Sequence, residues 1–199
     1  MRDEKKTIRQ KQIEQAAYAV LQEKGYAGTS MLAIARKARA SNETLYNWYG
    51  DKVGLFKALV ARNAHEIRAM LETRIKSESD ALDTLTVLGP MLLAVLTGAR
   101  AVALNRAAAA DPSGDLGQAI SAEGRETIAP LITQVLLQAR DQGKLNFPDP
   151  GEAVELYLNL LIGDLQIRRV IGRAPEPTDK ERKRRSNQAV DALVRLLPP

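Results

Sequence analysis

Residues 30–49 read Ser30-Met31-Leu32-Ala33-Ile34-Ala35-Arg36-Lys37-Ala38-Arg39-Ala40-Ser41-Asn42-Glu43-Thr44-Leu45-Tyr46-Asn47-Trp48-Tyr49. The pattern is helix, tight turn, helix. Thr29-Ser30 offers an N-cap, since a hydroxyl can accept an orphan N–H of the first turn. Ile34, Ala35 and Ala38 then fall on one inward face. Ser41 caps the next helix, which carries Leu45 and Tyr49 inward and stops at Gly50-Asp51. Upstream, Ile13, Ala16, Ala17, Val20 and Leu21 recur at helical spacing, and Gly25 ends that helix. One helix thus props a pair of short helices whose second member is exposed.

An exposed short helix can enter a DNA major groove and present its side chains to base edges. Asn42, Thr44 and Asn47 carry donors and acceptors for such edges. Tyr46 and Trp48 either offer a hydroxyl and an indole N–H to phosphates or pack as ordinary aromatics. Lys52 opens the following helix, where backbone amides and the helix dipole already favour an anion. Charge placement agrees. Residues 1–60 hold eleven basic and six acidic residues, a net +5, and the remainder holds eighteen of each sign. The excess sits on the segment expected to face DNA, joined to a neutral body.

Outside this segment no alternating strand pattern occurs, and the expectation is an all-α chain of about nine helices. A helix begins near Lys52 and continues toward Ile75. Ala81–Thr97 is a helix that Gly89-Pro90 should kink or divide. Arg100–Ala110 follows, stopped by Asp111-Pro112-Ser113-Gly114. Leu116–Gln142 reads as one helix bent at Pro130. Asp149-Pro150-Gly151-Glu152 opens a helix expected to run to Ile171, and Thr178…Glu181 is a capping box that opens the last.

Composition excludes several classes. At 199 residues and 45% apolar, the chain can bury a sizeable core. It has no cysteine, and His65 is its single histidine, so disulfides, thiolate or histidine-cluster metal sites and most histidine-dependent nucleophiles are ruled out. No phosphate-binding glycine loop is present. Neither an enzyme nor a cofactor is expected. No uncharged apolar run reaches the ~18 residues of a membrane span, and the N-terminus lacks the apolar core of a secretion signal. A cytoplasmic location is expected.

The segment from about residue 8 to residue 60 strongly resembles the TetR/AcrR family of bacterial regulators. The resemblance rests on Ile13…Ala16-Ala17, Gly25-Tyr26…Thr29-Ser30-Met31, Ile34-Ala35…Ala38, Ser41, Thr44-Leu45-Tyr46, Tyr49-Gly50-Asp51-Lys52 and Leu55-Phe56. It implies DNA contacts from Ser41, Asn42, Glu43, Thr44, Tyr46, Asn47, Trp48 and Lys52, with phosphate contacts from Thr29 or Ser30. Leu45 and Tyr49 become core. The family usually has glycine where Arg39 stands. Either the turn is altered, or Arg39 adopts a left-handed backbone at a cost of about 1 kcal/mol and gains a phosphate contact. The stretch Gln142-Gly143-Lys144-Leu145…Asp149-Pro150…Ala153 is similar to the AefR-like subgroup.

This resemblance implies a helix-turn-helix domain over residues 1–50 and a ligand-binding and dimerisation domain over 51–199. Met91, Leu92, Val95, Leu104, Asn105 and Arg106 are the candidates to line a ligand cavity, although the apolar four read equally as core. Glu152–Ile171 is apolar nearly all round, which suggests a partner subunit. Leu156, Tyr157, Leu160, Leu161, Asp164, Leu193 and Leu196 are assigned to that seam. The partners implied are a pseudo-palindromic DNA operator, a second copy of the chain and a small, largely apolar inducer. Repression is the first reading. An activator, or a helical ligand or interaction module that does not bind DNA, is the alternative. Lys5, Lys6, Arg9 and Lys11 read either as phosphate or minor-groove contacts or as a solvated end. Lys180-Glu181-Arg182-Lys183-Arg184-Arg185 reads as a solvated helix face, and His65 as a helix-surface or partly buried residue.

Overall fold

The computed structural model describes residues 2–199, without the side chains of residues 2–5, so Lys5 of the N-terminal cluster lies outside the described side chains. Among the described residues there is no strand. Eleven α-helical segments occur: α1 (Arg2–Lys24), α2 (Met31–Ala38), α3 (Asn42–Tyr49), α4 (Lys52–Lys76), α5 (Ala81–Thr97), α6 (Ala99–Ala109), α7 (Asp115–Ile120), α8 (Glu126–Asp141), α9 (Pro150–Ile162), α10 (Leu165–Val170) and α11 (Asp179–Leu196). A π-helical turn, Ser121–Arg125, precedes α8. No single helix is long and apolar enough to cross a membrane.

The chain forms two compact units, Met1–Arg62 with Ala103–Gly124, and Asn63–Val102 with Arg125–Pro199. This division by packing differs from the division by role expected at residue 50. In the first unit the stripe Ile13, Ala16, Ala17, Val20 and Leu21 is buried against Ile34, Ala35, Leu45, Leu55 and Phe56. Leu104, Ala107 and Leu116 complete this core. Each large apolar side chain buried here contributes about 1.5–3 kcal/mol relative to exposure. Tyr26 meets Phe56 edge-on, with ring centroids 5.3 Å apart. The buried carboxylate of Glu14 is held by Arg62 at 2.8 Å.

In the second unit α5 lies against α8, α9 and α11, around Leu85, Leu88, Leu93, Val135, Leu136, Tyr157, Leu161 and Leu193. Of the two outcomes expected at Gly89-Pro90, a kink or a division, the division does not occur, and α5 runs through Pro90. Proline removes the N–H that would bond the Thr86 carbonyl four residues back. The buried Ser186 of α11 donates its hydroxyl to that carbonyl at 2.8 Å instead. Gly89 permits this approach, because a Cβ there would lie 2.1 Å from Ser186 Oγ.

Two helix spans correct the sequence reading. The helix expected over 116–142 is split into α7, the π turn and α8, and Pro130 falls inside α8. The helix expected to reach Ile171 ends at Ile162, where Gly163 (φ +50°) leaves the helical region and α10 restarts at Leu165. Arg185 caps the break, its guanidinium donating to the Leu161 and Ile162 carbonyls at 2.5 and 2.8 Å. The starts of α9 and α11 are as read. Asp149 caps the first with Pro150 behind it, and Thr178 and Glu181 form the reciprocal box on the second.

Candidate nucleic-acid interface

The reading head is built from α1, α2 and α3 of the first unit. Ser30 caps α2, its hydroxyl oxygen accepting from the Ala33 N–H at 3.2 Å, and it stays exposed. Thr29 does not share that role. It is 3% exposed, and its hydroxyl already donates to the Gly25 carbonyl at 2.7 Å, so of the two candidates for a phosphate contact only Ser30 is exposed.

α2 ends with Arg39 in the left-handed region, at φ 52° and ψ 41°. The turn therefore keeps the geometry that glycine would favour. The Arg39 N–H bonds the Arg36 carbonyl at 3.2 Å, and the Ala40 N–H bonds the Ala35 carbonyl at 2.9 Å. These bonds satisfy carbonyls that the helix end leaves without partners. The Arg39 side chain is exposed.

Ser41 then caps α3, accepting from the Thr44 N–H at 3.0 Å while its hydroxyl meets that of Thr44 at 2.7 Å. On an eight-residue helix, positions 42, 43, 46 and 47 share one face and 45, 48 and 49 the other. The burial follows this division. Leu45 is wholly buried, Trp48 and Tyr49 are half-buried against the core, and Asn42, Glu43, Tyr46 and Asn47 are exposed. Tyr46 is 49% exposed, unusual for so large a ring. Glu43 sits in the first turn, where the helix dipole favours a carboxylate.

Trp48 and Lys52, both expected to contact DNA, also make contacts within the protein. Trp48 is half-buried and packs edge-on against Tyr49, at 6.4 Å between ring centroids. Lys52 donates to the Tyr26 carbonyl at 3.1 Å, and its ammonium lies 3.9 Å from the Tyr26 ring centre. Such a cation over an aromatic face is worth about 0.5–2 kcal/mol. The Tyr26 hydroxyl beneath is buried without a hydrogen-bond partner. Burial pushes its pKa up to about 12, with the charges of Asp115, Asp111 and Asp51 adding to the effect.

The candidates for a ligand cavity are divided between the units. Met91, Leu92 and Val95 stand on α5 in the second, with Leu92 buried and the other two half-buried. Leu104, Asn105 and Arg106 stand on α6 in the first, respectively buried, half-buried and exposed. The seam candidates also separate. Tyr157, Leu161 and Leu193 are fully buried in the core of their own chain, and Tyr157 donates to the Leu85 carbonyl at 2.9 Å. These three belong to the subunit interior, because the side of α9 facing α5 needs apolar filling too. Leu156 and Leu160 are half-buried, while Asp164 and Leu196 are exposed. Ile167 and Ile171, not among the seam candidates, are more than half exposed. Their i, i+4 spacing was the available signal. Among the described residues no group of three or more His, Asp or Glu is placed to hold a metal ion.

Known proteins resemble the chain in both parts. Residues 13–59 match the family model described as bacterial regulatory proteins, tetR family. Residues 83–196 match that of the AefR-like transcriptional repressor, C-terminal domain. The HTH-type transcriptional regulator BetI of Proteus mirabilis is 35% identical over 75 residues, a stretch that spans 38% of either chain. A TetR-family regulator from Mesorhizobium loti superposes with a TM-score of 0.74 at 28% identity, covering 96% of both chains. A TetR regulator from Agrobacterium tumefaciens gives 0.72 at 30% identity, over 95% of this chain and 94% of its own. With a capped, outward-facing α3 and both family models in place, the chain belongs to the TetR family of bacterial transcriptional regulators, whose helix-turn-helix binds DNA.

Proposed function

We propose that this regulator is a repressor that reads a pseudo-palindromic operator as a homodimer, through the exposed face of α3, and is released by a small apolar ligand. The observation that carries the DNA-reading part is the division of α3. Leu45, Trp48 and Tyr49 anchor the helix, and Asn42, Glu43, Tyr46 and Asn47 are left to solvent. An exposed tyrosine and two exposed amides have no packing role on that face, and amides can pair bidentately with adenine edges. Ser30 at the start of α2, with Arg39 in the turn, supplies phosphate contacts that fix register.

Two-fold pairing sets two reading helices about one helical turn of DNA apart, which is why the operator should be palindromic. The exposed Ile167, Ile171 and Leu196, with half-buried Leu156 and Leu160, support pairing through the end of the chain. Repression agrees with the description of the C-terminal family model. The ligand acts only through its different affinity for the DNA-competent and incompetent states. The apolar character proposed for it follows from Met91, Leu92 and Val95 on α5.

The test begins with a fluorescent duplex selected by the protein itself from a random-sequence pool. The selected sequence should contain an inverted repeat and bind about a thousandfold more tightly than a scrambled duplex at moderate salt. Sedimentation should give a dimer. Equal binding of both duplexes would remove the function, and a strictly monomeric protein would remove the two-fold reading.

A further inference from the structure

We propose that Arg9 is a positioning residue for DNA reading: it locks the α2–α3 turn into the left-handed geometry that Arg39 resists, and thereby sets how α3 is presented. This inference rests on the DNA-reading role given to α3 above. Arg9 stands four residues before Ile13, so it shares the helix face that packs on α2. Ile13 is wholly buried there. The guanidinium consequently reaches the C-terminal end of α2. Its Nη1 donates to the Ala38 carbonyl at 3.2 Å and to Gln12 Oε1 at 2.9 Å, and its Nη2 donates to the Arg39 carbonyl.

Two physical effects converge. Carbonyls at the end of a helix lack helical partners and carry the negative end of its dipole, so a cationic fork is well matched to them. The residue in the turn also has a Cβ that opposes positive φ. Among the described residues only Arg39 and Glu78 are non-glycine residues with positive φ. Arg39 is the one of the pair that sits between the two helices of the reading head. With glycine at that position the backbone would need no such clamp. The charge of Arg9 is directed at the protein's own carbonyls, while the Arg39 side chain faces solvent. The two arginines divide the work, one holding the turn and the other remaining available to a phosphate.

The test is a double-substitution cycle in the full-length protein, with Arg9→Ala, Arg39→Gly and both together. The probes are the selected duplex and the exchange rate of the Ala40 amide, which bonds the Ala35 carbonyl across the turn. Arg9→Ala should speed Ala40 exchange about tenfold, since local opening governs exchange. It should weaken duplex binding about tenfold and leave the slope of log affinity against log salt unchanged, because no phosphate contact is lost. In the Arg39→Gly background the same substitution should change both by less than about twofold. An equal loss in both backgrounds, with a slope reduced by about one, would make Arg9 a phosphate contact and overturn the proposal. Should Arg9→Ala fail to fold, Arg9→Lys, which keeps the charge but not the fork, is read the same way. If the wild-type protein prefers no duplex, the function falls, and Ala40 exchange alone decides the clamp.

Discussion

Substituting Ser186 by alanine removes the hydroxyl that donates to the Thr86 carbonyl at 2.8 Å. That carbonyl has no helical donor, because position 90 is proline. Ser186 is wholly buried, packed against Gly89, so water cannot readily replace the hydroxyl. An unsatisfied buried acceptor costs about 1–3 kcal/mol, and about 2 kcal/mol is the expectation here. For a chain of this size that lowers Tm by about 4–8 °C. The diagnostic step is Pro90→Ala, which restores an N–H four residues after Thr86. In that background Ser186→Ala should cost only about 0.5 kcal/mol, so the two sites couple by about 1.5 kcal/mol. Thermal unfolding of the four proteins at one fixed concentration gives the cycle directly. An equal cost in both backgrounds would refute the idea that the serine replaces the bond proline deletes.

Tyr46→Ala should leave stability within about 0.5 kcal/mol, as its ring is half exposed, yet weaken binding to the selected duplex about tenfold or more; unaltered binding would take Tyr46 off the reading surface. Tyr26→Phe should be neutral or stabilising in a thermal melt, because it removes a buried hydroxyl that has no partner and keeps the ring under Lys52; a loss above about 2 kcal/mol would reveal a hidden bond. Asp80 is held below its ordinary 3.8 by hydrogen bonding from Lys144, with the Asp83 N–H assisting. Its folded value is lowered, so its stabilisation is present above the ordinary value and is lost as pH falls through the lowered one. The Tm difference between wild type and Asp80→Asn, which can still cap α5, should be constant above about pH 5 and shrink toward pH 3.

The reading head was legible because its signals are local. Ser30 and Ser41 cap the helices they precede, and the stripe from Ile13 to Leu21 fixes which side of α1 is inside. The conformation of Arg39 was left open between an altered turn and a left-handed residue, and the structure shows the second. Long-range arrangements were not legible. No local signal places Arg9 against a carbonyl 30 residues away, nor Lys52 over Tyr26. Pro90 reads as a breaker until Ser186, nearly a hundred residues on, is seen to satisfy the freed carbonyl. The apolar excess of residues 152–171 suggested a partner, but a helix wedged among others in its own chain has the same composition. Tyr157 and Leu161 fill the subunit core for that reason. The ligand candidates on α5 and α6 suffer similarly, since apolar cavity walls and core share residue types.

The central claim is that α3 presents a sequence-reading face, and its most direct measurement is a titration of wild-type protein and Asn47→Ala against the selected duplex and point-substituted versions of it. The wild type should lose about 1–3 kcal/mol at specific base pairs, and Asn47→Ala should bind more weakly while ceasing to distinguish one of them. Identical base preferences in both proteins, with affinity lowered uniformly or not at all, would contradict it.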